Sequence, residues 1–167
     1  MRLEDILYSQ GFGTRRVCAG LIQQGFVSVE TPGEGLQPCA DAGAEFEPMG
    51  LRFTVQGAYW QWQQRAYLML HKPAGTECSQ RPSAWPSVYT LLRAPLRQRP
   101  VKGAQPGVQA VGRLDQDTTG LLLLSDDGQF IHRMASPRHH VPKVYEAVLR
   151  DPLQPVQLQR LLDGVVL

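Results

Sequence analysis

The stretch Val-Gly-Arg-Leu-Asp-Gln-Asp-Thr-Thr-Gly-Leu-Leu-Leu-Leu, running from Val111 to Leu124, constrains the fold more than any other part of the chain. It joins a polar loop carrying Arg113, Asp115 and Asp117 to an unbroken run of four leucines. A short apolar run bounded by turn residues predicts a buried, central strand. The loop then sits at the mouth of whatever buries the leucines, and side chains anchored on a buried element are held rigidly. Taken alone, Asp115 reads as an acid in a turn or cap. Two carboxylates two residues apart can also approach each other, as in some hydrolases, although no other acid or base motif supports that chemistry.

A chain of 167 residues allows one ordinary domain, or a small one followed by a medium one. With 43% hydrophobic and 19% charged residues it has the composition of a soluble globular protein. No apolar run approaches the roughly 20 residues of a membrane span. The start, Met-Arg-Leu-Glu-Asp, lacks the apolar core of a secretory signal, so a cytoplasmic protein is expected. Cys18, Cys39 and Cys78 are widely spaced without a CxxC pair, which predicts reduced thiols rather than a disulfide framework or a zinc site. There is no GxGxxG, P-loop or HExxH motif. The neighbours His139 and His140 point in different directions and make a poor metal pair, so a surface or partner-facing role suits them better.

Net charge is only +2, but it is unevenly spread. Residues 30–47 hold Glu30, Glu34, Asp41, Glu45 and Glu47 and no base. From Cys78 to Leu114 there is no acid, while Arg81, Arg93, Arg97, Arg99, Lys102 and Arg113 are present. Between Gln129 and Arg150, Arg133, Arg138, Lys143 and Arg150 stand against the single Glu146. Such clustering fits a phosphate footprint, and equally a solvated basic face.

Taken in order, Leu3, Ile6, Leu7 and Gln10 share one face at helical spacing. Gly11-Phe-Gly13 breaks the helix. Thr14 can cap a second one that Gly25 ends. Arg15 and Arg16 stand at its start, where guanidiniums and free amides suit a phosphate backbone. Phe26–Val29 and Leu51–Val55 alternate as strands, with loops and short strands between them. Residues 58–65 read as a linker between a unit at 1–57 and another at 66–167, with the boundary near Gln63.

In the second unit Tyr67–Leu70 predicts a buried strand. His71-Lys-Pro-Ala-Gly75 follows as a turn. Pro86–Leu92 predicts a short helix and residues 93–107 a long loop. Asp126-Asp-Gly128 is a turn, Gln129–Ala135 a helix, and Lys143–Leu149 a cleanly alternating strand. Pro155 opens a last helix ended by Gly164, and Val165–Leu167 begins another strand. This mixture lacks the regular alternation of a doubly wound sheet, so the expected class is α+β with a largely antiparallel sheet.

Two resemblances follow. Arg2-Leu3, Thr14-Arg15-Arg16 and Gly25-Phe-Val-Ser-Val29 make the first unit similar to the S4-type RNA-binding domain. Gly112-Arg-Leu-Asp-Gln-Asp-Thr-Thr-Gly120 with its leucines, Asp126-Asp-Gly128, Lys143-Val-Tyr145 and His71–Gly75 resemble the RNA pseudouridine synthases that carry an S4 domain and act on ribosomal RNA. Ser136-Pro-Arg-His-His140 tilts the likeness to those acting on small-subunit rather than large-subunit RNA. The resemblance implies isomerisation of a uridine to pseudouridine without cofactor or metal, with ribosomal RNA as the partner; a monomer is the default expectation. It makes Asp115 the catalytic carboxylate, either attacking the sugar or taking a proton and stabilising charge. It makes Tyr145 the aromatic residue packed on the target base. Arg113 would contact the RNA or pair with Asp117. Arg2, Arg15, Arg16, Arg138, His139 and Lys143 are the further RNA-contact candidates. Family members continue several tens of residues further, with more strands and a basic partner for the aspartate. The expectation is therefore an incomplete catalytic domain and weak activity of this form. A non-catalytic RNA-binding protein with a degenerate second domain is the competing class.

Overall fold

A computed structural model describes residues 1–103 and 105–165. Helix α1 (Leu3–Gln10) and helix α2 (Arg15–Gln23) pack against each other on either side of the break at Gly11. Leu3, Ile6, Leu7 and Gln10, the face predicted from spacing, are all buried. Gly11 takes the left-handed conformation at φ +92° that closes α1. The Thr14 hydroxyl accepts from the Val17 amide and so caps α2.

Strands β1 (Val27–Thr31), β2 (Gly35–Pro38), β3 (Arg52–Val55) and β4 (Ala58–Gln61) make an antiparallel sheet in the order β2-β1-β3-β4. Strand β4 corrects the expected linker at 58–65. The chain turns at Gln56 and Gly57, both with positive φ, and pairs Ala58 back onto Val55. That is the geometry of a tight two-residue hairpin, which glycine and only a few other residues tolerate. Trp60 and Trp62 then pack against the first core. These two tryptophans were the signal that the segment is structural. The core itself is made by α1, α2, β1 and β3, with Phe53 fully buried at its centre.

A second core lies beyond residue 65. Strands β5 (Tyr67–Lys72), β6 (Gln109–Ala110) and β7 (Gly120–Ser125) form an antiparallel sheet in the order β5-β7-β6. The leucine run is central, as its apolar character requires. Leu122 and Leu124 turn inward beside Val88 and Val108, while Leu121 stays exposed on the other face. A 3₁₀ turn at Val88–Leu91 stands where a short helix was expected. Residues 93–107 are not all loop: α3 (Ala94–Gln98) forms with Pro95 in its first turn, where proline costs no hydrogen bond. Asp127 caps α4 (Gly128–Ala135), accepting from the amides of Gln129 and Phe130.

The predicted strand at Lys143–Leu149 is absent. Residues 141–149 carry no ladder hydrogen bonds, and Val144 and Val148 are 97% and 96% exposed. Alternation marks which side chains share a face, but a strand exists only where a neighbour pairs with it. Helix α5 (Pro155–Leu162) does form, with a capping box between Gln154 and Gln157, yet buries none of its residues. The expected strand start at Val165–Leu167 falls largely outside the described residues, and Val165 belongs to no element. The described fold is α+β with antiparallel sheets.

Candidate active site

The loop between Val111 and Gly120 is tied down at both ends and in the middle. The Val111 amide donates to the Leu123 carbonyl at 2.8 Å. Gly120, at φ +130°, feeds the chain into β7 opposite Lys72. Between them Asp115–Thr118 forms a turn closed by the Thr118 amide on the Asp115 carbonyl at 3.2 Å. Aspartate at the first position of such a turn is favoured.

The centre of this loop rests on Lys72. Leu68, Leu70 and Lys72 alternate toward the interior of β5, and Lys72 is fully buried. Its ammonium donates to the carbonyls of Thr118 (2.9 Å), Pro73 (3.1 Å) and Gln116 (3.2 Å). A buried ammonium without partners is costly, and here each donor is spent on backbone that builds the loop. Gly75 adds a fourth tie, its amide donating to the Gln116 carbonyl at 2.7 Å. The motif His71-Lys-Pro-Ala-Gly75 is thus the floor under the Asp115 turn. Lys72 was not singled out from sequence. A lysine in the inward phase of an apolar strand was the signal that could have found it.

While the backbone is fixed, the side chains of the loop are free. Arg113, Asp115 and Asp117 are exposed. Among the described residues no cation lies within 4.0 Å of the Asp115 carboxylate, and Arg113 makes no ion pair with Asp117. The other predicted site residues fall into three groups. Arg138 and His139 lie on a 3₁₀ turn just after α4, where the His139 ring meets His132 edge-on at 5.7 Å. Lys143 and Tyr145 lie on the unpaired segment, Tyr145 being 62% exposed. Arg2, Arg15 and Arg16 are on the N-terminal unit. Arg2 pairs with Glu4 at 3.1 Å and Asp5 at 3.2 Å, and Arg15 pairs with Asp5 at 2.8 Å while lying over the Tyr8 ring. The Arg15 guanidinium beside Asp5 holds that carboxyl below its ordinary range. Arg16 is exposed and enters no ion pair among the described residues.

Unlike Asp115, the carboxylate of Glu77 is anchored and supports the neighbouring loop. Glu77 accepts from the amides of Trp85 (2.8 Å), Ala84 (2.9 Å) and Ser83 (3.1 Å). The amide of Ala84, followed by those of Ser83 and Trp85, lowers its pKa. No group of histidine, cysteine and acid side chains capable of holding a metal ion is assembled among the described residues. Among them, too, no helix is long and apolar enough to cross a membrane.

A rigid turn at the end of a central antiparallel strand, presenting a free aspartate, is what the RNA pseudouridylate synthase family pattern covers here: it matches residues 66–163, and the chain belongs to that family. Among its relatives, the chain is 32% identical over 166 residues to the uncharacterized RNA pseudouridine synthase YtzG of Bacillus subtilis, covering 99% of this chain and 64% of that one. It is 33% identical over 168 residues to the ribosomal small subunit pseudouridine synthase A of Pasteurella multocida, covering 66% of that protein. With the protein of that name from Escherichia coli K12 it shares 41% identity over 101 residues, 60% of this chain and 40% of that one. The chain thus spans just under two thirds of the length of the first two relatives. A crystal structure of a pseudouridylate synthase aligns with 84% of this chain at 30% identity and a TM-score of 0.39.

Proposed function

We propose that the protein isomerises a uridine of small-subunit ribosomal RNA to pseudouridine, with Asp115 as the catalytic carboxylate and no cofactor. The bond between uracil N1 and ribose C1′ breaks, the base turns, and a bond forms between C5 and C1′. The C5 proton leaves and N1 gains one, so the reaction balances without an oxidant, a reductant or a phosphoryl donor. A carboxylate beside C1′ can attack the sugar, or take a proton from it and stabilise charge as the bond breaks. The observation that carries this reading is the Asp115 turn, pinned through its backbone by Lys72 while its carboxylate stays free. Fixed placement of a reacting group removes much of the orientational cost of a reaction.

An enzyme that works on a base must take it out of the stack. In this reading Tyr145 lies against the extruded uracil, and Arg113 fills the vacated space or grips its phosphate. Arg138, His139, Lys143 and Arg16 contact phosphates. Arg2 and Arg15 do so by exchanging Glu4 and Asp5 for RNA. The N-terminal unit, extended through β4, is an S4-type RNA-binding domain, and the protein acts as a monomer in the cytoplasm. The names of the Pasteurella and Escherichia relatives and the Ser136–His140 motif support small-subunit RNA.

Tritium release from ribosomal RNA labelled at uracil C5 tests the proposal. Release by the native sequence, abolished in Asp115→Asn with RNA affinity retained, is the expected result. That no cation lies within 4.0 Å of the Asp115 carboxylate among the described residues favours a second reading, RNA binding without catalysis. Tight binding with no release from the native sequence would establish that reading instead.

A further inference from the structure

The two cores are joined by more than a connecting segment. Arg99, just past α3, is 3% exposed. Its Nε donates to Asp126 Oδ2 at 2.6 Å, its Nη1 to Gln10 Oε1 at 2.8 Å, and its Nη2 to the carbonyls of Gln63 at 2.9 Å and Gln64 at 3.4 Å. One guanidinium therefore grips α1, the connecting segment and the end of β7. Asp126, itself buried, uses its other oxygen to accept the Ala66 amide at 2.8 Å. Gln10 Oε1 also receives the Gln63 amide at 3.1 Å and Trp60 Nε1 at 3.3 Å, while its Nε2 donates to the Gln63 carbonyl at 3.1 Å. No buried side-chain polar atom among the described residues lacks a partner.

A separate contact says the same. Gly11 backs onto α3 so closely that a Cβ there would collide with the Pro95 carbonyl and stand 2.7 Å from the Arg99 amide nitrogen. The N-terminal unit thus meets the second unit backbone to backbone, with an arginine fork locking the angle. Buried ion pairs add little to stability beyond an apolar contact, and their best-attested use is to select one arrangement among several. The planar fork of arginine, unlike the point charge of lysine, can hold three segments at once.

The position of this lock matters. Asp126 follows the last residue of β7, and the Asp115 loop enters at the first, Gly120. The six residues of β7 place the two ends roughly 17 Å apart, at about 3.3 Å per residue. The strand is paired by β5 along its whole length and by β6 at Leu124 and Ser125, the end next to Asp126.

We infer that Arg99 is a positioning residue that makes β7 a fixed spacer between the N-terminal unit and Asp115. The inference rests on the proposed RNA chemistry: the uridine that reaches Asp115 is the one lying at a set distance from the RNA held by the N-terminal unit. Selection is then by span, and not only by contacts at the base.

The test uses the full chain and two variants, Arg99→Lys and Gly11→Ala. Lysine keeps the charge facing Asp126 but cannot fork to Gln10 and the linker carbonyls. Alanine keeps every side chain of the fork but strains the backbone at φ +92° and crowds the contact with Pro95 and Arg99. Nitrogen-15 relaxation reports whether the units tumble as one body, and pseudouridine mapping on whole small-subunit RNA reports site choice. Expected are one correlation time for the native chain and a shorter one for the N-terminal unit in both variants. Release from short uridine oligonucleotides should stay within twofold while selectivity among uridines of the whole RNA falls at least tenfold. Variants that still tumble as one body overturn the lock. Variants whose units separate but keep the native selectivity overturn the spacer. A native chain that modifies no uridine refutes the parent reading and with it the spacer, while relaxation still decides the lock.

Discussion

Residues 3–125 and residues 136–165 use the same sequence patterns to opposite effect. Helix α1 places Leu3, Ile6 and Leu7 at helical spacing and buries all of them. Helix α5 places Val156, Leu158, Leu161 and Leu162 at similar spacing and leaves every one exposed. Strand β5 alternates and pairs with β7 over six residues. Residues 143–149 alternate as well and pair with nothing among those described. Periodicity defines a face, whereas burial depends on what is opposite it. The first region finds its partners within itself: α1 has α2 and β1, and the leucines of β7 have β5, Val88 and Val108.

The sharpest test of that contrast is a pair of equal truncations. Leu7→Ala removes a fully buried side chain and is expected to cost about 2–5 kcal/mol of unfolding free energy, while the exposed Leu161→Ala stays within about 0.5 kcal/mol. Urea denaturation reads both. Equal costs would show that α5 is packed after all.

Lys72→Met comes next. It retains the stem of the side chain and removes the ammonium. Two of its acceptors keep other donors, Pro73 from the Thr76 hydroxyl and Gln116 from the Gly75 amide. The Thr118 carbonyl keeps none of those seen among the described residues, so the stability cost should be about 1–3 kcal/mol. Catalysis should suffer more than stability, because a shift of ~1 Å in a reacting group can cost about 100-fold. A variant with native tritium release and a lower melting temperature would make Lys72 a core residue without influence on Asp115.

What could be read from sequence divides along the same line. Local signals were reliable where their partner was also local: the break at Gly11, the Thr14 cap, the central place of Leu121–Leu124 and the Asp127 turn. The hairpin at Gln56-Gly57 was missed because its turn lacks the usual Asn-Gly or Asp-Gly pair, though Tyr59, Trp60 and Trp62 argued against a solvated linker. Lys72 and Arg99 were passed over for a different reason. The inward phase of β5 marks Lys72 as buried, but the acceptors that make either cation useful come mostly from far along the chain, Thr118 lying 46 residues from Lys72 and Gln63 lying 36 from Arg99. The expected strand at 143–149 failed on pairing, which no alternation specifies. Of the candidate site, Asp115 and Arg113 were legible as a motif, but the floor beneath them was not.

A smaller effect probes how firmly the first core is closed. Burial pushes the Cys18 thiol up to about 11, from an ordinary value of 9.0. That leaves roughly 100-fold less thiolate at neutral pH than an unperturbed thiol would have. Alkylation should label the partly exposed Cys39 and Cys78 quickly and Cys18 only at the rate of global unfolding. Comparable rates at all three would mean that α2 opens locally.

The smallest expected effect lies at the seam between the two regions, where Asp127 caps α4. The Tyr67 hydroxyl donates to its Oδ2 at 2.7 Å, and the amides of Phe130 and Gln129 donate to its Oδ1. The hydroxyl first, then the Phe130 amide, holds this carboxyl below its ordinary value of 3.8. A carboxylate depressed in the folded state contributes stability that is complete above its unfolded pKa and is lost as pH falls through the folded one. The cap should therefore survive at pH 5 and loosen only below the ordinary aspartate value. Asp127 is solvent-screened, so the change in global stability is small and the local signal is the informative one. Amide shifts of Gln129 and Phe130 followed by NMR should titrate with a midpoint below 3.8, with the α1 and β1 amides unmoved. Asp127→Asn can still cap through its amide oxygen but has no proton to gain, so the titration should vanish. A midpoint at or above the ordinary value would mean that Tyr67 does not hold the cap, leaving the edge-on packing of Phe130 against the Tyr67 ring to tie α4 to the packed region.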